Sequence, residues 1–120
     1  MHLLAIIFVV LVAVEHLYIM VMEMFLWTKP RTLKTFNLTP ELAESSKSLA
    51  ANQGLYNGFL AAGLIWGLVH PTAQFGYQIQ LFFIICVLIA ALYGGATSSR
   101  RIWLMQGAPA LLALLFLLLS

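Results

Sequence analysis

The chain has 120 residues, with 62% apolar and only 8% charged side chains, against about 45–50% and about 25% in ordinary globular proteins. Six basic and four acidic side chains cannot cover a soluble surface, and the mean hydropathy is +0.98. Intrinsic disorder, a nucleic-acid module and an internal disulfide scaffold are excluded together, the last because there is one cysteine. The composition is that of an integral membrane protein.

A bilayer core about 30 Å thick needs roughly 20 apolar residues per helix, and four segments meet or approach that length. The first runs from about Leu3 to Trp27 and carries Glu15, His16 and Glu23. It lacks a basic leader, is too long for a signal peptide and ends among acids, so it reads as a retained span. The second span covers residues 49–69, the third 78–97 and the fourth 102–119. The expected fold is all-α: a single transmembrane domain over residues 1–120, built as a four-helix bundle. A strand reading fails because the apolar runs are long and do not alternate.

The first connection carries Thr39-Pro40-Glu41, which reads as an N-cap, a proline at N1 and an acid in the first turn. The second helix is therefore expected to start near Pro40 and to extend into the cytoplasm before entering the bilayer. Lys29, Arg31, Lys34 and Lys47 lie in this connection, Arg100 and Arg101 in the third, and neither lysine nor arginine in the second, His70–Tyr77. The positive-inside rule puts those basic residues in the cytoplasm and both termini outside. Trp27 and Trp103 then mark the inner interface, Trp66 and Tyr77 the outer one. The sequon Asn37-Leu38-Thr39 falls on the cytoplasmic side, where it is inert.

Placed by depth at about 1.5 Å per residue, the polar side chains gather in one half. Glu23 lies near the inner end of the first helix, with Glu15 and His16 near the midplane. Asn52, Gln53, Tyr56 and Asn57 occupy the inner half of the second, Tyr93, Thr97 and Ser98 the end of the third, and Gln106 the start of the fourth. The outer half is almost wholly apolar. At about 100° per residue, His16, Met20, Glu23 and Trp27 share one stripe, and Asn52, Gln53, Tyr56 and Asn57 form one arc. Beside the arc runs Ala50-Gly54-Gly58-Ala62, a small-residue stripe suited to close helix packing. An ionisable group at this depth costs about 2.5–3.5 kcal/mol or more, so Glu15, His16 and Glu23 must be neutralised, paired or hydrated. They are the candidate acid–base or proton-handling groups. Asn52, Gln53, Tyr56, Asn57, Tyr93 and Arg100 are the candidate ligand-binding groups. A network that only pins helix register is the plainer reading of the same residues. His16, Met20 and Glu23 do not form a convincing metal set, because soft sulfur and hard carboxylate rarely share an ion. Cys86 sits in apolar surroundings that favour an inert thiol.

Three stretches carry a resemblance: Glu15-His16-Leu17-Tyr18-Ile19-Met20 leading to Glu23-Met24-Phe25, Ala51-Asn52-Gln53-Gly54-Leu55-Tyr56-Asn57-Gly58, and Tyr93-Gly94-Gly95-Ala96-Thr97 through Arg101. Together they resemble the bacterial integral-membrane family known as domain of unknown function 1304. The resemblance implies a four-helix membrane protein of a bacterial plasma (inner) membrane, and implies no activity. More distantly, the chain is similar to the membrane-associated eicosanoid and glutathione metabolism proteins. That likeness implies four helices, termini outside, a homo-oligomer and a thiol-cofactor site open to the cytoplasm. Asn52 with Tyr56, and Tyr93 with Arg100, match that pattern. Leu55 stands where the acid is expected and Ser48 where a base is expected, which leaves a glutathione-like thiol poorly supported.

Three functions are compatible with these residues. The first is a polar, acidic pocket, open to the cytoplasm, that binds or transforms a small amphipathic ligand. The second is a proton-coupled transporter using Glu15; the one-sided basic residues oppose the dual insertion common among small multidrug exporters. The third is an accessory subunit whose polar face meets a partner helix. The expected partners are the lipid bilayer, a small amphipathic ligand and further copies of the chain, as a trimer or dimer.

Overall fold

The computed structural model describes residues 2–120, and all regular structure in them is helical. Five α-helices follow one another: α1 (His2–Phe25), α2 (Pro30–Phe36), α3 (Pro40–Val69), α4 (Ala73–Thr97) and α5 (Ala108–Leu119). A π-helical segment, Trp103–Gly107, leads directly into α5. Among the described residues α1 and α4 are long and apolar enough to cross a membrane, and Trp103–Leu119 is a shorter apolar helical stretch. α3 is the longest helix at 30 residues, but Asn52, Gln53, Tyr56 and Asn57 interrupt its apolar run. The all-α reading of the sequence holds.

The chain divides into two compact units, and the division cuts both α1 and α3. One unit is Glu15–Phe59. Within it α3 begins as its sequence dictates: Thr39 Oγ1 accepts the Leu42 backbone N–H at 3.1 Å, an N-cap bond that satisfies a donor with no intrahelical partner. α2 lies inside the first connection; it starts with Pro30 in the first turn and stops at Asn37. Asn37 adopts φ 55°, a left-handed conformation that Asn tolerates better than most residues. The Leu38 N–H then closes a 2.8 Å bond to Leu33 O, the six-to-one bond of a Schellman stop. Trp27 ties the unit together. Its ring packs on Phe36 with centroids 5.1 Å apart, and its indole N–H donates to Ser46 Oγ at 3.1 Å.

The other unit joins the stretch ending at Val14 to Leu60–Ser120. Its core is Ala5, Val9, Val12, Ala13, Leu64, Ile84, Val87, Ala110, Ala113 and Leu117, with Phe8 stacked on Phe116 at 5.4 Å. Small side chains recur in this core, so the helices pack closely. The turn between α3 and α4 needs Gly76: a Cβ there would lie 2.6 Å from Gly67 O, and a backbone oxygen cannot move aside. Gln80 Nε2 donates to the same oxygen at 3.1 Å. The π segment also has a packing cause. The Trp103 ring abuts Gly95, where no side chain fits, and its N–H donates to Leu92 O at 3.1 Å. The Ala108 N–H returns to Trp103 O, five residues back, so one residue is accommodated without breaking the helix.

Candidate functional site

The buried face of α3 within the Glu15–Phe59 unit runs through Ala43, Ala50 and Gly54, spaced seven and four residues apart on one helical stripe. Asn57, three residues on, continues that stripe and is partly buried. Gly54 permits an unusually close approach to α1: a Cβ at this position would lie 2.8 Å from Met24 Cγ, 2.9 Å from Glu23 Cβ and 3.1 Å from Met20 O. At that separation Asn57 Nδ2 donates to Glu23 Oε1 at 2.7 Å, at the short end of the N–H···O range. Glu23 is 8% exposed, so this carboxyl group has exchanged most of its water for the amide.

His16 and Glu15 complete the ionisable groups of α1. His16 is 1% exposed. Glu15 is partly buried, and its Oε1 is fully enclosed with no hydrogen-bond partner. A buried oxygen without a donor costs about 1–3 kcal/mol, so packing elsewhere must offset it.

The remaining predicted residues face outward. Asn52 is exposed and spends its amide hydrogen on Ser48 O at 2.9 Å, within its own helix. Gln53 is exposed, and Tyr56 is 61% exposed, in contact with Phe59 at 6.1 Å. Of the α3 arc, therefore, only Asn57 is paired with an α1 acid. Tyr93 and Arg100 belong to the other unit and are both exposed, Tyr93 at 72%. Thr97 caps its own helix, donating its hydroxyl to Tyr93 O at 2.7 Å. Sequence reasoning missed Met20 and Met24 as the side chains against the α3 glycines. Their spacing of four residues on the Glu23 side of α1 was the available signal.

An all-helical chain with paired polar groups between two apolar helices defines a broad class, and comparison with known proteins narrows it. Residues 10–118 match the family described as "Protein of unknown function (DUF1304)", and the chain belongs to that family. It is similar to the Uncharacterized protein YpaA of Lactococcus lactis subsp. lactis (strain IL1403), with 40% identity over 117 residues, covering 96% of this chain and 97% of that one. No solved structure matches.

Proposed function

We propose that the chain is a four-span bacterial membrane protein whose Glu23–Asn57 pair forms the floor of a polar pocket open to the cytoplasm, which binds a small amphipathic ligand. The observation that carries this reading is the 2.7 Å bond between a buried α1 carboxyl group and an α3 amide, held at a glycine-permitted approach. Register alone would be served by one neutral polar pair. Here two acids and a histidine lie within nine residues of one apolar helix, at a cost that function has to justify. In this reading Glu15, His16 and Glu23 supply acid–base groups, and Asn57 orients the ligand's polar end.

Two long apolar helices and a shorter apolar stretch support the membrane assignment, with α3 as the remaining span. The basic residues of the first and third connections then lie in the cytoplasm and both termini outside. Exposed Asn52, Gln53 and Tyr56 are poor lipid-facing groups, so in this reading they line the water-filled mouth of the pocket and further copies of the chain screen that mouth from lipid. A second reading, proton coupling through Glu15, draws support from its enclosed, unpartnered Oε1.

The test is thermal stability of the purified protein in detergent against a panel of amphipathic thiols, anionic lipids and cations. Binding raises the midpoint for at least one class, and Glu23→Gln removes that rise while leaving the ligand-free midpoint within a few degrees. No shift with any class contradicts the ligand reading. Proton flux in proteoliposomes that Glu15→Gln abolishes favours the second.

A further inference from the structure

In the unit that contains α4 and α5, a cavity of about 510 Å³ opens beside the turn joining α3 to α4. That volume falls within the range of about 300–1,000 Å³ usual for small-molecule sites. Its walls are apolar: Ala5, Ile6 and Val10 of α1, Leu68 of α3 and Leu117 of α5. Its polar side chains are His2 and Ser120 at the two ends of the chain and a group of three on α4 and the turn before it, His70, Tyr77 and Gln80.

The hydrogen-bond pattern says what these groups offer. The Thr72 backbone N–H donates to His70 Nδ1 at 3.0 Å. A backbone amide can only donate, so Nδ1 is the accepting nitrogen, although Thr72 O also lies 3.2 Å away. The neutral ring therefore carries its hydrogen on Nε2, as a donor. Gln80 is held by its Nε2–H bond to Gly67 O, and Tyr77 adds a hydroxyl. His70 is also braced, with ring contacts to Trp66 at 6.1 Å and Phe75 at 5.8 Å. A donor fixed on a braced ring above an apolar chamber selects a neutral molecule with an acceptor oxygen at one end.

We propose that this cavity is a binding site for a compact, neutral, mainly apolar molecule bearing a carbonyl acceptor, with the carbonyl on His70 Nε2–H. The site is separate from the Glu23–Asn57 pair, and neither proposal depends on the other.

The probe is tetramethyl-1,4-benzoquinone, which quenches indole fluorescence and has no free ring position for addition of the Cys86 thiol. Trp66, in contact with His70, is the reporter. In the purified full-length protein at fixed detergent concentration, quenching saturates, and Trp66→Phe removes the saturable part. Ala73→Phe, which puts a bulky ring into the cavity lining, abolishes it. His70→Asn keeps an acceptor for the Thr72 N–H but withdraws the Nε2 donor, weakening binding about threefold to tenfold, the worth of one hydrogen bond. Tetramethylbenzene, the same shape without carbonyls, competes more weakly by a similar factor. Circular dichroism checks that each variant is folded. Quenching that rises linearly and equally in all variants is partition into the micelle and overturns the proposal. Saturable binding unchanged by His70→Asn overturns the carbonyl assignment.

Discussion

Gly54 and Gly58 look equivalent in the sequence, both small residues on one α3 stripe, yet their surroundings demand opposite outcomes from the same substitution. Alanine in place of glycine inside a helix gains about 1 kcal/mol of intrinsic helix stability. At Gly54 the new methyl would meet Glu23 Cβ at 2.9 Å and Met20 O at 3.1 Å. Those atoms are fixed to the α1 backbone, so relief requires the helices to separate. Overpacking of this kind costs about 1–3 kcal/mol, and separation also stretches the 2.7 Å bond from Asn57 to Glu23. Gly54→Ala should therefore destabilise by up to about 2 kcal/mol net. At Gly58 the nearest atom is Met20 Sδ at 2.6 Å, followed by Met20 Cγ at 3.5 Å. A thioether at the end of a flexible side chain can rotate away, so Gly58→Ala should be neutral or stabilising by up to about 1 kcal/mol. The assay is equilibrium unfolding in mixed micelles with increasing dodecyl sulfate, followed by circular dichroism. Equal effects at the two positions, or a larger cost at Gly58, would refute the reasoning.

Asn57→Leu strips Glu23 of the Asn57 amide donor and should cost about 1–3 kcal/mol in the same assay, the penalty of leaving a buried polar group unsatisfied; Asn57→Gln should recover part of the loss. Glu15→Leu removes an enclosed oxygen that has no partner, so it should leave stability unchanged or raise it by about 1–2 kcal/mol. A marked loss of stability would contradict this. Thr39→Ala deletes the α3 N-cap bond and should cost about 1 kcal/mol, with Thr39→Ser restoring it; amide exchange at Leu42 reads the change directly.

What could be read from the sequence is what short-range chemistry decides. The start of α3 at Pro40 follows from Thr39 bonding to its own backbone three residues on, and no distant group is needed. The helical nature of the long apolar runs is equally local. α2 escaped because its seven residues are too few to show a period, although Pro30 at one end and Asn37 at the other mark its limits. The π segment escaped for a different reason. It depends on an indole finding a glycine on another helix, which no pattern within residues 103–107 encodes. The site was legible to the same degree. Depth along the helix put Glu23 and Asn57 in the same half, but the four polar residues fan over an arc of about 140° at about 100° per residue, and the sequence does not say which edge of it turns to α1. Which of them meets α1 is settled by the helix approach at Gly54, a tertiary fact.

In the proposed arrangement the polar half of this chain is reached by water from the cytoplasm. Single cysteines at Gln53 and Leu68, each in a Cys86→Ala background, test it most directly through labelling with a membrane-impermeant maleimide. Position 53 should react in inverted membrane vesicles and stay unreactive in intact spheroplasts, with position 68 silent in the inverted vesicles. Labelling of position 53 from outside, or from neither side, would contradict it.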